Sequence, residues 1–91
     1  MPISILIPDE LTKYSEGLKE IEIAADSLED ALSKLFRAHP MLQKRLVDKN
    51  RHFYPYVPAF LNDEKLAIQG TLNRRLHDGD RLAFMVIASG G

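Results

Sequence analysis

Residues 77–91 read HDGDRLAFMVIASGG, and this stretch indicates a turn, a strand and a short tail. The turn is predicted at HDGD, because Asp and Gly are typical turn residues. The run RLAFMVI that follows has the twofold alternation of a strand with one buried face. Leu82, Phe84 and Val86 are predicted to face the core, and Ala83, Met85 and Ile87 to face outward.

The last two residues, Gly90 and Gly91, have no structural advantage at the end of a strand. Glycine loses more conformational freedom on ordering than any other residue and has no side chain to bury. A Gly-Gly end can be without meaning, since termini are often poorly ordered. The rest of the chain therefore has to decide whether this ending is functional.

The N-terminal part begins with two further strand patterns. In ISILI, Ile3, Ile5 and Ile7 alternate with Ser4 and Leu6, and Pro8 ends the run; in KEIEIA, Ile21 and Ile23 alternate again. Such alternation is typical of half-buried strands. We predict an antiparallel hairpin whose long loop contains the polar stretch 9–17.

A helical period follows the hairpin. The helix start is indicated by Ser27 with Asp30, or by Asp26 with Glu29, since both pairs suit a capping box. His39 precedes Pro40, and the residue before proline is disfavoured in the helical region, so the helix should end there. The apolar positions at helical spacing are Leu28, Ala31, Leu32, Leu35 and Phe36.

The segment 41–68 is less regular. MLQKRL could form a short helical turn on Leu42 and Leu46, and VDKNRHFYP is predicted to be a loop. Pro58 cannot donate to a ladder, so the predicted third strand should be an edge or carry a bulge there. Residues 62–64 are predicted to be a tight turn. The third strand has Val57, Ala59 and Leu61 alternating with Tyr56, Pro58 and Phe60, and Leu66 and Ile68 allow a brief fourth strand.

The element order predicts an α+β fold, a ubiquitin-like β-grasp. The expected architecture is a mixed four- to five-stranded sheet with one main helix packed across it. The first and last strands should lie side by side in the middle of the sheet, joined by a right-handed crossover. We expect residues 1–91 to form a single domain with a flexible C-terminal tail at 88–91.

Composition narrows the function classes. The chain has 91 residues, a net charge of −1 and no cysteine. Near-neutral charge gives no overall field toward nucleic acid or anionic lipid, so neither a nucleic-acid nor a membrane partner is expected. The lack of cysteine removes thiolate nucleophiles and cysteine-bound metal sites. No apolar run could span a bilayer and no signal peptide is recognisable, so the expected localisation is cytoplasmic.

In the C-terminal third, Phe60–Gly91, the sequence LND, the later DGD and the terminal Gly-Gly form a spaced pattern. With this pattern the segment resembles the ThiS/MoaD-type sulfur-carrier protein family, whose members are ubiquitin-like β-grasp proteins. The connection RLVD to YVPAFLNDE further resembles the cysteine-biosynthesis type of carrier, from which the chain departs at Pro58 and Ala59. Residues on the family pattern are Leu61, Asn62, Asp63, Leu76, Asp78, Gly79, Asp80, Leu82, Gly90 and Gly91.

This resemblance implies a sulfur carrier that is a protein substrate and not an enzyme. It implies that the Gly91 carboxylate is adenylated and converted to a thiocarboxylate, with Gly90 allowing entry into a narrow active site. ATP would be used by a ubiquitin-activating-type adenylating enzyme, and the carrier itself would bind no cofactor. Further implied partners are a downstream sulfur-accepting synthase and a metalloprotease that exposes or releases the terminus. Leu6, Phe60, Met85 and Ile87 are the predicted partner-binding residues, because all four are expected to face outward and could adjoin in a β-grasp.

Two other functions remain open at this point. One is the small subunit of molybdopterin synthase, and the other is a ubiquitin-like modifier conjugated through Gly91. Lys44, Arg45, Lys49 and Arg51 beside Phe53, Tyr54 and Tyr56 combine charge with stacking surfaces, although a solvated loop is the commoner interpretation. The three histidines, His39, His52 and His77, lack metal-site spacing, so no metal site is expected.

Overall fold

The computed structural model describes residues 2–50, 52–66 and 72–87. The predicted tail at 88–91 and the predicted strand residue Ile68 lie outside these ranges. Within them the chain forms five strands, two α-helices and a 3₁₀ helix at Asp9–Tyr14. The strands and helices are β1 (Pro2–Leu6), β2 (Glu20–Ala24), α1 (Leu28–Ala38), α2 (Pro40–Leu46), β3 (Ala59–Leu61), β4 (Glu64–Lys65) and β5 (Arg81–Phe84).

The five strands form one mixed sheet in the order β2-β1-β5-β3-β4. The first and last strands, β1 and β5, are parallel neighbours at its centre, with Ile5 opposite Leu82. All other pairs are antiparallel, including the β1–β2 hairpin with its long loop. This topology confirms the predicted ubiquitin-like β-grasp.

One face of the sheet is buried against the helices. Alternate residues of β1 and β5 and the apolar stripe of α1 are in the core, as their periods predict. Full burial of an aliphatic or aromatic side chain stabilises a domain by about 1.5–3 kcal/mol. The buried residues of these three elements are Ile3, Ile5, Leu28, Ala31, Leu32, Leu35, Phe36, Leu82 and Phe84. Ile7, the residue after β1, is also buried.

Helix α1 begins after Ser27, which is the N-cap. Ser27 Oγ accepts a hydrogen bond from the backbone N–H of Asp30 at 3.1 Å. The Asp30 carboxylate accepts from the backbone N–H of Asp26 at 3.3 Å, so the predicted Ser27–Asp30 pair is present, but the return bond goes to Asp26. At the other end, α1 stops at Ala38 before the His39-Pro40 pair, as predicted.

The ambiguous segment after α1 is a second helix, α2, with Pro40 in its first turn. Leu42 and Leu46 are fully buried, so the predicted helical turn is confirmed and is extended to seven residues. The following loop is closed by a bridge between Val47 and Phe53. Proline at the first helical position costs no intrahelical hydrogen bond, which explains why the helix starts there.

The expectation that Pro58 marks an edge or a bulge is wrong. Strand β3 begins one residue later, at Ala59, and lies between β5 and β4. Pro58 contributes its carbonyl oxygen, which accepts from the Met85 N–H at 3.0 Å, so it still pairs with the chain after β5 through one hydrogen bond. The predicted turn is confirmed, with Asn62 at φ 50° and Asp63 at φ 73°. Strand β4 has only two residues and ends before Leu66, which is buried.

Candidate partner-binding surface

The outer face of the sheet carries a row of apolar residues across its three central strands. Ala83 of β5 pairs with Leu6 of β1 on one side and with Phe60 of β3 on the other. All three side chains are half-buried. Directly paired side chains on one face lie about 4.5–5.5 Å apart at Cβ, so the three form a continuous surface.

The apolar surface continues beyond the last residue of β5. The Met85 N–H donates a hydrogen bond to the Pro58 carbonyl at 3.0 Å, and the Ile87 N–H donates to the Tyr56 carbonyl at 2.9 Å. The exposed fractions of Tyr56, Met85 and Ile87 are 48%, 52% and 55%. We name this surface the apolar strip; it consists of Leu6, Tyr56, Pro58, Phe60, Ala83, Met85 and Ile87.

Three large apolar side chains exposed side by side usually mark a partner site. The four residues predicted for partner binding, Leu6, Phe60, Met85 and Ile87, all lie in the apolar strip. Sequence reasoning left Tyr56 out of this set, although it stands in the same alternating series as Pro58 and Phe60. Partner binding by the strip stays a prediction.

The polar end of the strip is fixed by Asn62 and Asp80. The Asn62 amide donates to Asp80 Oδ1 at 2.9 Å, and Asn62 Oδ1 accepts from the Arg81 N–H at 2.9 Å. Asp80 Oδ2 accepts from the His77 N–H at 2.8 Å. The His77 N–H and the Asn62 amide hold the pKa of Asp80 below its ordinary value of 3.8. These bonds join the turn after β3 to the residues at the start of β5.

The DGD turn is also attached to β1. Gly79 has φ 86°, a left-handed conformation that glycine adopts without a steric cost. Its N–H donates to the Pro2 carbonyl at 3.1 Å, and the Asp80 carbonyl accepts from the Ser4 N–H at 2.9 Å. The residues of the LND and DGD sequences therefore connect β5 by hydrogen bonds to both neighbouring strands, β1 and β3.

The predicted acceptor residues, Gly90 and Gly91, lie outside the described residues. The last described residue is Ile87, at the end of the apolar strip. Four residues in extended conformation reach on the order of 13 Å. The apolar strip and the C-terminal glycines are thus separated by a short, fixed length of chain.

The aromatic residues beside the basic residues at 44–51 are not arranged as a row of open rings on which nucleic-acid bases could stack. Phe53 packs on Phe84, with ring centroids 5.6 Å apart, and is part of the interior packing. Tyr54 and Tyr56 stack on each other at 5.2 Å. Arg51 lies outside the described residues. Only the tyrosines and the cations are therefore left for contact with a partner.

The remaining polar candidates have local partners. His39 is buried, with Nδ1 3.7 Å from Glu16 Oε1, and His77 Nδ1 lies 3.9 Å from Asp80 Oδ2. Arg74 pairs with Glu64 of the same chain at 3.2 Å.

In the part of the chain that the structure describes, no three His, Asp or Glu side chains are placed to hold a metal ion. Nor does any helix there have the length and apolar character needed to cross a membrane.

Comparison with known proteins extends the resemblance to the whole chain. No family model matches. The sulfur carrier protein CysO of Mycobacterium tuberculosis is 26% identical over 93 residues, which cover all of both chains. The crystal structure of SAMP1 from Haloferax volcanii is 26% identical, covers all of both chains and superposes with a TM-score of 0.83.

A third similar structure is the Amycolatopsis orientalis BexX/CysO complex. It is 24% identical, covers 98% of this chain and 99% of the matched chain, and has a TM-score of 0.84. At this identity the likeness shows the fold. Full-length similarity to CysO and SAMP1, the β-grasp topology and the LND, DGD and Gly-Gly pattern agree with one another. The β-grasp fold and the full-length similarity to CysO therefore support the resemblance of this chain to the ThiS/MoaD-type family of ubiquitin-like β-grasp proteins.

Proposed function

We propose that this chain is a sulfur carrier whose Gly91 carboxylate is adenylated and then converted to a thiocarboxylate. The observation that carries the proposal is the apolar strip, since its last residue, Ile87, immediately precedes the sequence ASGG. Similarity over its full length to a protein named as a sulfur carrier supports the same conclusion. Cysteine, or a related sulfur metabolite, is the proposed destination of the sulfur.

The chemistry explains why a terminal carboxylate needs activation. An α-carboxyl group has a pKa of about 3.3–3.7, so at neutral pH it is an anion and a poor electrophile. Its oxygen attacks the α-phosphorus of ATP, pyrophosphate leaves, and the terminus becomes an acyl adenylate. Hydrosulfide then attacks the acyl carbon and AMP leaves with its bridging oxygen. The product is a thiocarboxylate on Gly91.

The activation has to take place on another protein, an adenylating enzyme of the ubiquitin-activating type. In this proposal the apolar strip binds that enzyme and the chain beyond Ile87 enters its active site. Glycine at positions 90 and 91 lets backbone approach closely where a Cβ would collide with the walls. The BexX/CysO complex is a precedent for a carrier of this fold held by a second protein. A sulfur-accepting synthase and a metalloprotease that exposes the terminus complete the proposed system.

The decisive experiment is intact-mass analysis after incubation with the adenylating enzyme, ATP and sulfide. We expect one oxygen to be replaced by one sulfur, and fragmentation to place the change on Gly91. Deletion of Gly91 and Gly90→Val should both abolish the exchange, because the first shortens the chain and the second adds a β-branched side chain. Ser89→Ala is the matched control and should exchange normally. A mass that never changes would contradict the proposal.

A second candidate function is conjugation to other proteins. It is favoured by the full-length similarity to SAMP1, a name that stands for small archaeal modifier protein 1. In this case the acyl adenylate would be transferred to a lysine amine, with formation of an isopeptide bond. The same incubation distinguishes the two functions, since a lysine conjugate without sulfur incorporation supports the modifier.

A further inference from the structure

The positive charge of this chain is concentrated in one segment. Residues 37–52 contain five of the 12 lysines and arginines but only one of the 13 acidic residues. The remainder of the chain is therefore acidic, although the net charge is only −1. A segment with such an excess of positive charge attracts partners of the opposite charge and steers their approach.

Two grooves on this side of the molecule are lined by cations. The first contains Lys13 and Arg45, and it is also lined by Tyr56 and Val86. The second contains Lys44 and Lys49. The stacked rings of Tyr54 and Tyr56 stand between them, since Tyr54 lines the second groove and Tyr56 the first.

The cations of the grooves have little competition from carboxylates. Each groove contains one acid, Glu10 in the first and Asp48 in the second. Asp48 Oδ1 already accepts from the backbone N–H groups of Asn50 and His52 at 2.8 and 3.0 Å. Among the described residues, no carboxylate oxygen lies within 4.0 Å of the four groove cations, whereas Lys19, Lys34 and Arg74 each have such a partner.

The tyrosine rings favour an acidic protein segment over a nucleic acid. The Arg45 guanidinium lies 4.6 Å from the ring centroid of Tyr14, and Tyr54 and Tyr56 cover each other. Single-stranded nucleic acids are bound by stacking bases on open ring faces, and here each ring has a face occupied. Ammonium, guanidinium and phenol groups can still donate hydrogen bonds to carboxylates.

We infer that the two grooves bind a carboxylate-rich segment of the protein on which the apolar strip docks. Tyr56 belongs to both the strip and the first groove, so one partner can contact both surfaces continuously. Val86, between the strip residues Met85 and Ile87, lines the same groove. The apolar strip supplies contact area and the cations select and orient the partner. This inference rests on the proposed function, because it assigns both surfaces to one partner.

The first test uses a fluorescein-labelled deca-glutamate peptide as the probe, with anisotropy as the readout. We expect binding at low salt and a loss of roughly tenfold in affinity for Lys44→Glu/Lys49→Glu, since several exposed charge pairs are removed and reversed. Lys19→Glu is the control, because it reverses an exposed lysine outside the grooves. An equal loss in the control would overturn the inference. Binding of a ten-nucleotide oligouridylate in place of the peptide would do the same.

The second test uses the adenylating enzyme and pyrophosphate exchange. The double variant should lower kcat/KM at low salt, and its difference from the unmodified chain should shrink at high salt, because the Debye length falls to about 3 Å at 1 M. A salt-independent loss, or salt-dependent self-association through the grooves, would contradict the inference. Peptide binding without any exchange would reject the proposed function alone, and exchange that is insensitive to both lysines would reject the inference alone.

Discussion

The side-chain amide of Asn62 donates to Asp80 Oδ1 at 2.9 Å, and this bond joins the turn after β3 to the turn before β5. Asn62 Oδ1 also accepts from the Arg81 N–H, so one side chain uses both its donor and its acceptor. The same residue has φ 50°, which asparagine tolerates better than most residues. A single position thus supplies the turn conformation and the connection between two strands.

Asn62→Ala should therefore destabilise the domain. The loss of both bonds should lower the free energy of unfolding by about 1–3 kcal/mol beyond the cost of the left-handed backbone. Asp63→Ala is the matched control, since Asp63 is the next residue of the same turn, also has positive φ and is likewise exposed. Urea denaturation of both variants gives the comparison. Equal losses would show that the hydrogen bonds contribute nothing.

Asp80 should make stability depend on acid pH. Its pKa is lower in the folded chain than its ordinary value of 3.8, chiefly because of the hydrogen bond from the His77 N–H. A lowered pKa means that its stabilisation is complete above 3.8 and is lost as the pH falls through the lower value of the folded state.

The measurement is the difference in unfolding free energy between the unmodified chain and Asp80→Asn. We expect this difference to be largest above pH 3.8 and to shrink as the pH falls below it, because protonation of the folded-state carboxyl group removes the stabilisation. Other acids contribute equally to both proteins and cancel. In an Asn62→Ala background the pH dependence should weaken, because one cause of the lowered pKa is removed. Parallel pH curves would contradict the assignment to Asp80.

The packing of α2 against the core predicts that substitutions in this helix change the stability of the domain according to their burial. Leu46 is fully buried, so Leu46→Ala should cost about 2–5 kcal/mol through lost burial and the cavity left behind. Met41 is an apolar residue of the same helix with 48% exposure, and Met41→Ala should change stability by less than about 0.5 kcal/mol. Thermal and urea unfolding distinguish the two. If Met41→Ala were as destabilising as Leu46→Ala, α2 would not be anchored as described.

The strongly periodic elements could be predicted from sequence. Alternation of Ile3 and Ile5, and of Leu82 and Phe84, indicated which face of each strand is buried, and the stripe of α1 did the same for the helix. Helix α2 was uncertain because only two leucines mark its seven residues. The inference from Pro58 failed because it considered the missing N–H, whereas the pairing uses the carbonyl.

The exposure of individual residues in the apolar strip could be predicted from the sequence, but the positions of these residues relative to one another could not. Alternation indicated that Met85 and Ile87 face outward, and their exposure agrees. The pairing of Leu6 with Ala83 depends on the register between the first and last strands, which no local pattern encodes. The contact of Arg45 with Tyr14 is likewise long-range, so the basic side chains were recognised as a cluster but their grooves were not.

Met85→Glu tests the apolar strip. The substitution should leave stability nearly unchanged, since the side chain is 52% exposed, but it should lower kcat/KM for adenylation at least about thirtyfold. The physical reason is that an unpaired carboxylate in an apolar interface costs about 2–5 kcal/mol. Leu18→Glu is the matched control, because Leu18 is a large apolar residue of similar exposure, 46%, that does not belong to the strip. It should leave adenylation unchanged. Normal adenylation by Met85→Glu, or an equal loss in both variants, would remove the strip from the docking surface.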